Sequence, residues 1–287
     1  MPWARLAWWL PASGVLLAVH AVVSLVGEKG FALTLFGDVT QTALLTIVFF
    51  AMWLNVRPSR GSARIFWLFM TVGSGMWLAA QALWTWFELI LRQDVPNPFL
   101  GDVIFFLHVV PMMGALALRP HLHPEQRPLR LGSVDFLLLL LWWIYLYVLL
   151  VIPWQYVHIS VPLYGFSFNV LYDVEKMLFL SVLGALWVRT TGAWKSVYAH
   201  LFGATCLYMI SSQYINLAID EGAYYTGCFL DVPLVGSMAW FVWAGIRGYG
   251  LKPGGEPATG AGRYRETWPS WLAMAALLSI PPLMAWA

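Results

Sequence analysis

The sequence predicts an all-α protein, a polytopic bundle of about nine helices that cross a lipid bilayer. Only 10% of the 287 residues are charged and 60% are hydrophobic, whereas about a quarter of the residues in a soluble domain carry charge. The net charge is only +2, and no basic surface is concentrated enough to follow a phosphate backbone. We therefore expect the lipid bilayer, and no nucleic acid, among the partners.

Apolar runs bounded by charges, Pro or Gly mark the expected spans, because about 20 such residues cross the hydrocarbon core. The first run follows Arg5 and is too long for a signal peptide, so we expect a retained helix. The last run reaches Ala287 without a polar flank, so we expect a connector helix within a longer protein. The runs are approximately 6–26, 39–55, 65–88, 101–118, 134–152, 168–188, 197–218, 230–246 and 268–287.

Positive residues predict the orientation, because Lys and Arg in short loops stay on the cytoplasmic side. With the N-terminus inside, 13 of the 16 Lys and Arg residues fall in cytoplasmic segments, while the outer loops hold only Lys29 and Arg92. These 13 are Arg5, Arg57, Arg60, Arg64, Arg119, Arg127, Arg130, Arg189, Lys195, Arg247, Lys252, Arg263 and Arg265. We expect a multi-pass protein of the bacterial inner membrane with a cytoplasmic N-terminus.

A weak internal repeat relates the two halves of the chain. MWLAAQALW (76–84) and YMISSQYIN (208–216) each place a glutamine deep in a helix, Gln81 and Gln213. Each is followed by an irregular loop and by an Asp-Val pair, which begins with Asp102 or Asp231. The prediction is one four-helix unit over 1–131, a second over 132–249, and a linker with a connector helix over 250–287. Coincidence between apolar helices is the alternative.

Asp102 and Asp231 have two interpretations. A carboxylate in the first turn of a helix caps exposed N–H groups and interacts favourably with the helix dipole. Alternatively, the two carboxylates line one outward-facing ligand pocket, for which Gln81, Gln213 and Trp77 are further candidates. Trp77 lies deep in its span, where core packing is the other role.

The sixth span contains Asp173, Glu175 and Lys176 within apolar sequence, and ionisable groups in a span are costly and commonly functional. Asp173 and Lys176 are three residues apart and share a helix face, so they can pair. Predicted to lie one to two turns below the outer surface, the three residues form either an ion pair that fixes packing or a polar cavity for a ligand, cation or proton.

Redox and metal chemistry have little support in the sequence. His20 and His108 lie at similar expected depths and are weak candidates for the axial ligands of a b-type haem. Cys206 and Cys228 form no zinc motif, so we expect no metal site and no required cofactor. Because the chain carries no recognised catalytic motif, any enzymatic activity is expected in a further cytoplasmic domain.

Two segments carry a family resemblance, PNPFLGDVIFFL (96–107) and GCFLDVPLVGSMAWF (227–241). The pattern resembles the multi-pass membrane sensor regions that precede GGDEF/EAL or histidine-kinase domains in bacterial signalling proteins. That resemblance implies a sensory module, possible homodimers, an undefined small ligand or signal, and a cytoplasmic output domain in the same chain. The alternatives are a transporter or permease with the polar residues of the sixth span on its path, and a b-type haem membrane protein.

Overall fold

The computed structural model describes residues 8–96, 98–122 and 131–251, and over these residues the protein is all-helical without strands. Two of the helices continue into short π-helical segments, Trp86–Leu91 after α3 and Pro153–Val157 after α6. The helices are α1 (Trp9–Val26), α2 (Phe31–Trp53), α3 (Gly61–Thr85), α4 (Gly101–Leu107), α5 (Val109–Ala117), α6 (Leu131–Leu150), α7 (Val161–Arg189), α8 (Gly192–Asp220) and α9 (Asp231–Gly248).

Helices lie at the first eight predicted spans, with α4 and α5 together at the fourth, and the predicted span 268–287 lies outside the described residues. Four helical segments are long and apolar enough to cross a membrane: Trp9–Val26, Phe31–Trp53, Gly61–Leu91 and Leu140–Val157. The remaining described helices do not meet this standard by length and composition alone. The fold is therefore a helical bundle compatible with a membrane protein.

Helix α1 has its polar side chains inside and its apolar side chains outside. Its buried residues are Ser13, His20 and Ser24, while Val22 is 58% exposed and Leu25 is 66% exposed. In water this distribution would leave the apolar face unburied and the polar groups removed from solvent, which is unfavourable on both counts. The distribution suits a helix whose outer face contacts lipid.

The two halves of the bundle pack by the same pattern. In the first half α2 contacts α3, and α3 contacts α4 and α5; in the second half α7 contacts α8, and α8 contacts α9. The halves also exchange contacts, because α1 and α2 both pack on α9 while α6 and α7 both pack on α5. Each half thus packs against at least one helix of the other half.

Helices α2 and α9 approach most closely where small residues meet. A Cβ atom added at Gly245 would lie 2.9 Å from the Cβ of Ala51 and 3.1 Å from its backbone. The Nδ2 atom of Asn55 donates to the carbonyl of Ala51 at 2.7 Å and to the carbonyl of Gly245 at 2.9 Å. This buried amide therefore joins two helices that belong to different halves.

We expect Gly245→Ala to destabilise the bundle by about 1–3 kcal/mol relative to Gly165→Ala, because the added methyl group overpacks the contact with α2. A Cβ at Gly165 in α7 meets nothing within 4 Å, so both variants gain the helix propensity of alanine and only one meets the steric contact. Unfolding in mixed detergent micelles measures the difference. Equal stabilities would show that α2 and α9 can move apart to accommodate the methyl group without loss of stability.

Candidate functional site

A small cavity with room for about one water molecule lies at the centre of the bundle, between the two halves. Its ionisable lining residues are Lys176 and His108. Helix α7 begins at Val161, so Lys176 lies near the middle of its 29 residues. The prediction that it lies one to two turns below the outer membrane surface stays a prediction, because the start of a helix does not mark that surface. The lining residues are Trp77, His108, Val109, Met112, Lys176, Phe179, Thr205, Tyr208 and Phe241.

The Lys176 ammonium group lies closer to a hydroxyl and to one aromatic ring than to a carboxylate. Its Nζ atom donates to the Oγ atom of Ser212 at 2.7 Å and lies 3.6 Å from the ring centroid of Tyr172. A second ring, that of Tyr208, is 5.4 Å away, and the nearest Asp173 oxygen is 4.0 Å away. Cation–π contacts of this kind strengthen when the cation is desolvated, and Lys176 is only 1% exposed.

The two acidic residues of the predicted cluster have different surroundings. Asp173 is partly exposed, at 32%, and accepts a hydrogen bond from the side-chain amide of Gln213. Glu175 is fully buried, and neither of its carboxylate oxygens has a hydrogen-bond partner within the described part of the chain. A buried carboxylate without a donor is costly, so Glu175 is the least satisfied member of the cluster.

His108 and Thr205 leave polar atoms available at the cavity. The Nδ1 atom of His108 pairs with the carbonyl of Phe105, so Nε2 is the ring nitrogen left for another partner. The buried hydroxyl of Thr205 has no hydrogen-bond partner among the described residues. With Lys176, these groups would suit a single water or another small polar ligand. Trp77 also belongs to the cavity wall, where it contacts both the His108 ring and Tyr208.

The two haem candidates have different neighbours. His20 on α1 stacks on Phe36 of α2 at 5.8 Å, and both of its ring nitrogens are buried without partners in the part of the chain that the structure describes. His108 instead contacts Trp77 and Tyr208 at the central cavity. These surroundings give no support to one iron held by both histidines.

Asp102 and Asp231 each fasten the loop that precedes their helix. Asp102 accepts from the backbone N–H of Phe99 at 3.0 Å and from the Tyr164 hydroxyl. Asp231 accepts from the backbone N–H of Gly227 at 2.7 Å and from the Tyr224 hydroxyl at 3.0 Å. Neither carboxylate lines the central cavity.

Tyr224 lies in the loop before α9 and remains a hydrogen-bond donor. Burial first, and then the negative charge of Asp231, raise the pKa of its hydroxyl well above the usual range. The phenol therefore keeps its proton and donates a hydrogen bond to the carboxylate. Both hydrogen bonds of Asp231 therefore fasten the loop before α9 and do not cap the N–H groups of the helix itself.

The predicted glutamines make equivalent hydrogen bonds in the two halves. The Nε2 atom of Gln81 donates to Oδ1 of Asp38 on the preceding helix at 3.2 Å, as Gln213 donates to Asp173. Sequence reasoning missed Asp38 as a site residue. The signal was present in GDVTQ (37–41) and YDVEK (172–176), which both place Asp-Val before a long polar side chain.

Comparison of the chain with protein-family models, with curated proteins and with solved structures gives no match. The site is therefore interpreted from its own geometry.

We expect double-mutant cycles to assign the stabilising partner of Lys176. Lys176→Met with Ser212→Ala should give a coupling energy of about 1.5–3 kcal/mol, typical of a hydrogen bond to a charged group. Lys176→Met with Asp173→Asn should give less than about 1 kcal/mol, because the 4.0 Å pair is partly exposed. Unfolding free energies in micelles provide both values. A coupling energy larger with Asp173 than with Ser212 would show that the ion pair is the main stabilising contact of Lys176.

Proposed function

We propose that this protein is an integral membrane sensory module, in which two four-helix halves enclose a site for a small polar ligand and relay its occupancy to a cytoplasmic output domain. The observation that carries the proposal is the central cavity, which both halves line and whose mostly apolar wall includes Lys176, His108 and Thr205. Buried ionisable groups in the middle of membrane helices are rare and commonly mark functional sites.

The position of the cavity supports a signalling role. It is lined from α3, α5, α7, α8 and α9, and His108 lies at the junction of α4 and α5. A ligand that contacts both halves favours one conformation of the bundle only if its contacts in that conformation are stronger than in the other. Both halves line the cavity, and each half packs on helices of the other. A displacement of the cavity wall would therefore reach the inner ends of α7 and α9.

The membrane placement belongs to the same proposal. We infer about nine spans, an N-terminus in the cytoplasm and a location in the bacterial inner membrane. Support comes from the distribution of Lys and Arg between alternate loops and from the lipid-type exposure of α1. The shared packing pattern supports an internal duplication of the four-helix unit.

The second candidate function is transport. Duplicated halves with a site near mid-bilayer are typical of many transporters, and the matching contacts of the two halves favour this class. A transporter would move its substrate across liposomes without any output domain. A sensor would instead be followed by a GGDEF/EAL or histidine-kinase sequence in the same reading frame, and a stop codon soon after codon 287 would count against it.

We expect cysteine labelling to establish the orientation. After replacement of Cys206 and Cys228, single cysteines are introduced at four exposed loop positions, Glu28, Arg60, Thr191 and Glu221. In intact cells an impermeant maleimide should label the cysteines at 28 and 221 and leave those at 60 and 191 unmodified. All four should react after permeabilisation, which controls for accessibility. The reverse pattern would invert the topology.

We expect Lys176→Met to change the output of the full-length protein without loss of expression, since the variant removes the amino group from the described cavity wall and keeps a long side chain. Met177→Leu is the matched control, because Met177 is the next residue of α7 and is 55% exposed. Kinase or cyclase activity in membranes is the measurement. Unchanged output in the first variant would remove the cavity from the signalling path.

A further inference from the structure

The described wall of the central cavity consists of buried side chains. Toward the starts of α3 and α8, Phe66 contacts both Trp67 and Tyr198, and all three rings are fully buried. Toward the start of α4, Asp102 accepts a hydrogen bond from the buried hydroxyl of Tyr164. Large aromatic rings and a loop contact therefore stand between the cavity and the two ends of the bundle.

One polar contact leads from the cavity wall to the side of the bundle. Lys176 is a wall residue, and its Nζ atom lies 4.0 Å from Oδ1 of Asp173, which is partly exposed. The Oδ1 atom itself is buried, so the Asp173 side chain extends from the surface to the interior. By contrast, the His108 ring bonds to a backbone carbonyl, and the Tyr208 hydroxyl bonds to another buried tyrosine.

Three side-chain hydrogen bonds close the seam between α7 and α8 beside this contact. They join Lys176 to Ser212 at 2.7 Å, Gln213 to Asp173, and Asn216 to Asn169 at 3.0 Å. The first pair is buried, whereas the members of the other two pairs are partly exposed. These six residues, the α7–α8 seam, are joined by side chains that can exchange their hydrogen-bond partners without any change in the helix backbone.

The equivalent pair of the first half is closed to the surface. Gln81 donates to Asp38 as Gln213 donates to Asp173, but Asp38 is fully buried and Gln81 nearly so. Exposure is therefore not a property of the repeated Asp–Gln pair itself. Of the two pairs, the exposed one belongs to the half whose lysine lines the cavity.

The surface around the α7–α8 seam is apolar. Its exposed side chains are Val170 and Val174 of α7 and Ile210, Tyr214 and Leu217 of α8. Within the proposed membrane placement these side chains contact lipid, where an acidic group is costly and commonly marks the path of a substrate or ion. A molecule dissolved in the bilayer would meet this surface directly.

We propose that the ligand of the central cavity enters from the bilayer through the α7–α8 seam, and that it is a small membrane-soluble molecule with one hydrogen-bond acceptor group. The inference rests on the proposed ligand site. The amino group of Lys176 has more than one N–H donor, so it can keep its bond to Ser212 and donate another to a carbonyl or hydroxyl oxygen. The other wall residues are mostly apolar and suit the rest of such a molecule.

Cysteine modification measures access to the cavity without knowledge of the natural ligand. Thr205→Cys is introduced together with Cys206→Ala and Cys228→Ala, and the full chain in lipid nanodiscs is treated with methyl methanethiosulfonate, which is small, neutral and membrane-soluble. We expect Gln213→Ala to raise the modification rate about tenfold, equivalent to about 1.4 kcal/mol, because it removes a hydrogen bond to a carboxylate. Gln81→Ala removes the equivalent hydrogen bond of the first half and should leave the rate unchanged.

Two controls separate a route through the seam from a general loosening of the bundle. Val242→Cys replaces a fully buried residue of α9 outside the described cavity wall, and its modification should stay slow in the Gln213→Ala variant. A sulfonated methanethiosulfonate, which does not enter the bilayer, should modify the cysteine at 205 much more slowly than the neutral reagent. An equal rise at position 242, or equal rates with the two reagents, would overturn the proposed route.

Protection from modification tests the chemical class of the ligand. Hexanone, a membrane-soluble ketone, should slow modification of the cysteine at 205, hexane should not, and Lys176→Met should remove the protection. Absence of protection by hexanone, or equal protection by hexane, would contradict a site for a hydrogen-bond acceptor. A cysteine at 205 that stays unmodified in every variant would show that the seam only packs two helices. Signalling output enters none of these measurements, so the route and the proposed function can fail separately.

Discussion

The bundle depends on one constraint, that polar groups removed from water need partners within the protein. Lys176 meets it with Ser212 and a tyrosine ring, and Asn55 meets it with the carbonyls of two helices. The Lys176 hydrogen bond joins the consecutive helices α7 and α8, and the Asn55 hydrogen bonds join α2 to α9, which is distant in the chain. Polar side chains, which would be dispersed on the surface of a soluble protein, therefore determine which helices are neighbours here.

The packing of α1 and α2 on α9 follows from the same constraint. The buried face of α1 is made of small or polar residues and contributes little apolar area, so it gains its partners by packing on α2 and α9. Small residues then permit the short distances that van der Waals association in lipid requires. Gly245 against Ala51 is one such place. Close backbone packing thus adds to the buried hydrophobic cluster that the two halves share.

The sequence predicted the helical class and the approximate location of eight helical segments, because apolar run length reports these features directly. Local sequence similarity paired the two glutamines, which make equivalent hydrogen bonds. The sequence did not predict that Lys176 lies at the middle of α7, because the helix begins at Val161, before the apolar run 168–188. It also missed Asp38, whose hydrogen bond from Gln81 forms only when α2 packs on α3. Which helix face meets which neighbour is a tertiary property that one sequence does not contain.

The π-helical end of α3 has a consequence for how this protein can change in evolution. A π segment behaves as one extra residue in an α-helix, and one residue corresponds to about 100° of rotation. Deletion of a single residue between Trp86 and Leu91 would restore regular winding and change the direction of the side chains that follow it. The second π segment holds Gln155, whose amide donates to the Phe99 carbonyl at 3.0 Å. Relatives with or without such an insertion would differ in helix register at this end of the bundle while they kept the same fold.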